Sequence, residues 1–248
     1  MSEELVRYES RDGVALITLN RLAKRNALNT PMCAALHAAW TRFAQSAEDR
    51  AAVITSADDA NFCAGADVND PPANFLDAIP EVGIELTKPV IAAVAGHVIG
   101  GAVTLTAFCD LCVAAENTRF VYPEAKIGAT LGLVSAVVAR IPHKVAMELM
   151  LLGESIDAAR AWQVGFVNRV VPVGQQTAAA LELAGVISRN APLVLATLKH
   201  FARETLPRSP VETYVAAKRR IDRVAGSADM REGISAFREK RRPVFRGE

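Results

Sequence analysis

Short β-branched or apolar runs alternate with helix-like stretches along most of this chain, and that alternation constrains the fold more than any other feature. "VALITLN" (14–20), "AAVITS" (51–56), "PVIAAVAG" (89–96), "LCVAAEN" (111–117) and "VNRVVP" (167–172) read as strands. Between them, "NTPMCAALHAAWTRFAQSAED" (29–49) reads as a helix, with Thr30 as the expected N-cap and Pro31 at the first helical position. Strands that take turns with helices imply an α/β architecture with much parallel pairing, because parallel neighbours need a crossover. After about residue 190 the strand signals stop. Helical patterns follow near 209–225 and 227–240, which divides the chain into an expected core, 1–190, and a C-terminal helical region, 191–248.

Composition excludes several function classes. The 28 lysines and arginines nearly cancel the 27 carboxylates, leaving a net charge of +1, which is no footprint for nucleic acid. The chain opens on acidic rather than basic residues, and no apolar run approaches the roughly 18 residues a bilayer demands, so a cytoplasmic protein without a membrane span is expected. Cys109 and Cys112 form a CxxC, yet the pair leaves an apolar helix and enters a strand. Buried thiols are expected there, not a redox or zinc site. His37, His97, His143 and His200 show no ligand spacing, and no metal is expected.

Two glycine-centred turns each follow a predicted strand: "NFCAGADVND" (61–70) and "GHVIGGAVTL" (96–105). In the second, Gly100 and Gly101 open a helix whose first N–H groups lack intrahelical partners. A P-loop would need a lysine and a hydroxyl residue after the glycines, and a dinucleotide fingerprint needs GxGxxG; neither is present. Two readings remain: close packing of helix on strand, or an oxyanion hole in which N–H groups from both turns converge on a carbonyl oxygen.

The ordered segments "NRLAKRNALNTPM", "NFCAGADV", "KPVIAAVAGHVIGGAVTLTAFCDLCVAAENTRFVYPEAKIG", "AMELMLLGESIDAARAWQVGFVNRVVP" and "AFREKRRPVF" cover nearly the whole chain, and together they resemble the crotonase superfamily, the enoyl-CoA hydratases and isomerases. The resemblance implies a ClpP-like spiral of ββα repeats with a C-terminal helical trimerisation region, a homotrimer or a hexamer, and acyl-CoA thioester substrates. Coenzyme A enters as part of the substrate, with no other cofactor. By the same resemblance the oxyanion donors are the N–H groups of Ala66 and Gly101. CoA contacts fall on Arg25, Ala27, Leu28, Ala64 and Asp67, with Phe237 and Lys240 from the C-terminal helix of a neighbouring subunit. For Arg25 and Lys240 the alternative is a solvated charge. The basic tail "FREKRRPVFRGE" reads likewise as a solvated or an anion-binding end.

Hydratases of the family bracket a water between two glutamates twenty residues apart. The later one matches Glu124 in "FVYPEAKIG", whereas the earlier position is Thr104. A hydroxyl can hold a water but cannot accept a proton at neutral pH as a carboxylate does. Members with only the later glutamate include the Δ3,Δ2-enoyl-CoA isomerases, in which one carboxylate carries a proton between C2 and C4, and Glu124 is the expected base. Ala125, Ile127, Leu131, Leu133 and Val134 are expected to form a dry wall that raises its pKa. "ATLGLVSAVV" replaces the family's usual "PGAGG", so that Leu133 and Val134 are expected to narrow and dry the acyl site, while the abbreviated "VNDPPANFLDAIPEVGIELT" (68–87), in a region that helps line the acyl site in the family, hides its length preference. The rivals are a hydratase or a hydrolase- or decarboxylase-type enolate enzyme with a water on Thr104, and a CoA-binding member without catalysis. An RNA-binding member would need a lysine-rich early helix, which 29–49 lacks. His97 is expected to be structural, and Tyr122 and Ser135 to flank the site.

Overall fold

The computed structural model describes residues 4–130 and 132–248, so the expectation for Leu131 lies outside the described residues. Contacts divide the chain into two compact units, Met1–Pro207 and Arg208–Glu248.

The first unit is built on two sheets. Strands β1 (Val6–Arg11), β2 (Val14–Leu19), β3 (Ala51–Ser56), β5 (Val90–Val94), β7 (Leu111–Ala115) and β10 (Arg169–Val171) form one sheet in the order β1-β2-β3-β5-β7-β10, parallel except for the β1–β2 hairpin. The second sheet has the order β4-β6-β8-β9 and uses three-residue strands: β4 (Asn61–Cys63), β6 (His97–Ile99), β8 (Arg119–Val121) and β9 (Ser155–Asp157). Each repeat therefore places its long strand in the first sheet and its short strand in the second: β3 then β4, β5 then β6, β7 then β8. A spiral of ββα units results from that alternation, as the resemblance implied.

Helix α1 (Thr30–Gln45) turns Met32, Cys33, Leu36, Trp40 and Phe43 inward at helical spacing. Its N-cap is Asn29 rather than Thr30: the Asn29 side chain accepts from Met32 N–H, while Thr30 already has helical backbone. Helix α2 (Gly101–Ala107) follows β6 and is buried throughout, and α3 (Glu124–Ile127) follows β8. Helices α4 (His143–Leu152) and α5 (Ala158–Gln163) come next. Helix α6 (Gln176–Ser188) covers the first sheet, setting Ala180 and Ala184 against Val53, Ile91 and Val113.

The two units divide at 207/208. Helix α7 (Pro192–Thr205) is fastened to the first unit by Lys199, whose ammonium reaches Asp110 at 2.7 Å, Glu81 at 2.8 Å and the Lys88 carbonyl at 2.9 Å. The second unit contains α8 (Pro210–Ala225), opened by a Ser209–Glu212 capping box, and α9 (Ala228–Glu239). Cys112 is buried and Cys109 half-buried, and burial pushes both thiols up, the opposite of a redox pair. No single helix among the described residues is long and apolar enough to cross a membrane, and among them no three metal-ligating side chains cluster.

Candidate active site

Three consecutive short strands deliver the chemistry-bearing residues. β4 runs into Ala64–Gly65–Ala66, β6 into Gly100–Gly101, and β8 into Tyr122–Pro123–Glu124. The strands are parallel neighbours, with His97 opposite Arg119, Val98 opposite Phe120 and Ile99 opposite Val121, so the turn leaving each strand emerges beside its neighbour at the roughly 5 Å strand spacing. The glycine turns thus come after strands of the second sheet, not the longer runs picked out in the sequence. Three-residue strands carry too little periodicity to be seen there.

The first turn is zipped to the "NALN" loop. Leu28 N–H donates to Gly65 O at 2.7 Å, and Asp67 N–H donates to Leu28 O at 2.8 Å, closing a parallel bridge between Leu28 and Ala66. In such a bridge the residue opposite turns its own N–H the other way, so Ala66 N–H faces away from Leu28. Gly65, at φ 82°, lies against the second turn: a methyl on it would stand 2.6 Å from Ile99 O and 3.4 Å from Gly101 N. The two turns are in contact.

Each glycine of the pair has its own reason. Gly100 has φ 56°, its N–H donates to Val121 O at 2.8 Å, and a methyl on it would meet Glu124 Oε1 at 2.5 Å. A methyl on Gly101 would meet Cε2 of Phe75 at 2.5 Å. The glutamate thus leans on one Cα and the phenylalanine ring on the next. Thr104 lies one helical turn after Gly101 on the same face and is 2% exposed.

Glu124 is half-buried, and among the described residues its Oε2 is buried without a hydrogen-bond partner. Burial pushes its carboxyl up to about 7, partly offset by its own backbone N–H. The expected dry wall is only half present: Leu133 and Val134 are buried, whereas Ala125 and Ile127 are exposed, because α3 is a single turn whose outer face points away from the core.

The expected CoA positions are mixed. Arg25 is exposed in left-handed backbone, and its carbonyl accepts from Ala64 N–H at 3.0 Å. Leu28 is fully buried and Ala27 nearly so. The Asp67 carboxylate is already engaged by Arg21 at 2.8 Å and by Asn69 N–H, and the Arg21 guanidinium holds it below the usual range. Asp67 therefore offers a ligand its carbonyl oxygen rather than its charge, its N–H being already given to Leu28 O. Phe237, 85% exposed, and Lys240, in left-handed backbone, belong to the second unit. His97 lies beside the Ala60 carbonyl at 3.3 Å; the Tyr122 hydroxyl meets Thr130 at 3.0 Å; Ser135 bonds to Gly132 O at 2.7 Å.

Sequence reasoning missed Asn26, Arg21 and Phe75. Buried Asn26 donates to Ser56 Oγ and Phe62 O and accepts from Arg21 N–H, which fixes the loop beside β4. Asn26 sits at φ 54°, left-handed backbone that asparagine tolerates, so its residue type was the signal the sequence offered.

A family model described as "Enoyl-CoA hydratase/isomerase" matches residues 9–248. The chain is 36% identical to the Mycobacterium tuberculosis protein named enoyl-CoA hydratase EchA19, over 96% of this chain and 94% of that one. It is also 36% identical to the Escherichia coli 2,3-dehydroadipyl-CoA hydratase over the whole of both. The crystal structure of carnitinyl-CoA hydratase from Mycobacterium avium superposes with a TM-score of 0.77 at 36% identity, covering all of both chains.

Proposed function

Because the chain belongs to the enoyl-CoA hydratase/isomerase family, whose members act on acyl-CoA thioesters, we propose that it is an enoyl-CoA isomerase-type enzyme with Glu124 as its single proton carrier. The thioester oxygen accepts from Ala66 N–H and Gly101 N–H. Ionised Glu124 takes a proton from C2 of a 3-enoyl-CoA, the charge passes to that oxygen as an enolate, and the same carboxyl returns the proton to C4 as the double bond moves between C2 and C3. One base suffices.

The observation that carries this reading is the pairing of a half-buried Glu124, pushed up to about 7, with a threonine at the earlier hydratase position. A carboxyl poised near neutrality both gives and takes a proton. Arg25, Ala27, Leu28, Ala64 and the Asp67 backbone are proposed to bind CoA, with Thr104 and Leu133 beside the acyl group. We further propose a cytoplasmic homotrimer or dimer of trimers, in which Phe237 and Lys240 of a neighbouring copy complete the CoA site. The exposure of Phe237, and of Tyr214, Ile221 and Val224 on α8, supports the association.

A second reading, hydration with a water held by Thr104 and Glu124, is favoured by the names of the relatives. Incubation of the purified protein with a 3-enoyl-CoA and with a 2-enoyl-CoA separates the two. Conversion of the first without hydration of the second is expected, and fast hydration of the second overturns the isomerase assignment.

A further inference from the structure

Phe75 packs against the oxyanion turn, yet nothing in the chemistry above requires an aromatic ring there. Its Cε2 and Cζ would lie 2.5 Å and 2.9 Å from a methyl on Gly101, so the ring edge rests on the Cα of the oxyanion donor. Glu124 Oε1 rests in the same way on Gly100, whose Cα is the adjacent one, about 3.8 Å away. A thioester oxygen held roughly 3 Å from Gly101 N keeps C2, two bonds from that oxygen, within about 5–6 Å of that N–H, in the space that both groups border. The carboxylate is the reactive neighbour of C2 and the ring is the inert one.

The ring is not free to swing aside. Phe75 is 5% exposed and begins a 3₁₀ turn, Phe75–Ala78, that is pinned on both sides. Before it, Ala73 N–H donates to Thr30 Oγ1 at 3.1 Å and Asn29 Nδ2 donates to Asp70 at 2.8 Å. After it, buried Trp40 Nε1 donates to Ala78 O at 2.8 Å. Three residues further on, Glu81 is gripped by Lys199 at 2.8 Å and Arg203 at 2.7 Å, both from α7. These contacts hold the segment in one place, and a close-packed wall tolerates no extra carbon where it touches the ligand.

Resting on the acyl-CoA reading of the site, we propose that Phe75 is a specificity-determining residue, a rigid wall beside C2 that admits straight-chain acyl-CoA thioesters and rejects those carrying a substituent on C2. The ring fills the space a 2-methyl group needs, and the clamp on its segment keeps that space closed. One misplaced methyl in a fitted apolar pocket changes kcat/KM by about tenfold or more.

The test measures C2 hydrogen exchange in deuterated water for a straight-chain 3-enoyl-CoA and its 2-methyl counterpart, using the full-length protein, Phe75→Leu and Phe75→Ala, with Glu124→Gln as the control. Thermal unfolding reports that each variant is folded. The wild type is expected to prefer the straight chain, and the preference to fall about tenfold or more in Phe75→Ala and by less in Phe75→Leu, through gain on the branched thioester. If Phe75→Ala fails to fold, Phe75→Leu alone decides. Unchanged preference in a folded variant whose straight-chain exchange still depends on Glu124 overturns the role of Phe75 and leaves the acyl-CoA reading standing. Absence of exchange in the wild type, or exchange that survives Glu124→Gln, overturns that reading and the role of Phe75 with it.

Discussion

At the scale of single residues, Glu124 couples chemistry to stability. It must be ionised to take a proton, so kcat/KM is expected to rise with pH and level off above an inflection near 7, measured from about pH 5 to 9. Glu124→Gln removes the base, and kcat is expected to fall by about 10²–10⁴. The same group opposes folding at higher pH. Its folded pKa of about 7 lies above the ordinary 4.5, so its contribution is full below 4.5 and is lost as pH rises through 7. Glu124→Gln should therefore melt higher than wild type at about pH 8, and the gap should close towards about pH 4, by calorimetry. The glycines beside it are equally specific. Gly101→Ala drives a methyl into Phe75, and Gly100→Ala both strains φ 56° and meets the glutamate; each is expected to reduce turnover more than it reduces folding yield.

Among elements, legibility tracked length and periodicity. AAVITS is β3 to the residue, and the α1 face was readable from its spacing, because six or more residues give a pattern enough cycles to register. The strands β4, β6, β8 and β9 are three residues each and went unseen, although β4, β6 and β8, not the long strands, aim the site. For the site itself, Ala66, Gly101, Thr104 and Glu124 came from the family resemblance; the physics of the sequence reached only a choice between close packing of the glycine turns and an oxyanion hole made by both. Phe75 and the Lys199 cluster stayed hidden because they join segments far apart in the chain. Burial alone would push the Lys199 ammonium down, but Asp110 and Glu81 overcome it and the net shift is upward. Lys199→Met leaves Asp110 without its cation and Glu81 still held by Arg203, and chemical denaturation is expected to register a loss of about 3–5 kcal/mol.

The whole molecule is expected to work as an assembly. Sedimentation velocity should return a trimer or twice a trimer, and Phe237→Ala should raise KM for CoA thioesters with little change in kcat, as suits a residue that binds without touching the reacting carbons. A monomer with full activity would defeat both expectations. The two sheets also divide the chain's tolerance for inserted residues. Growth between Asp67 and Lys88 shifts the clamp around Phe75 but spares the strand pairing on either side of it. A single residue added within β6 or β8 advances everything after it by about 3.3 Å and reverses the alternation of faces. Glycine pair and glutamate would then pass out of step like teeth of mismatched gears. Length variation among working descendants of this chain should accordingly collect in the former segment and spare the latter strands, whatever acyl group each comes to accept.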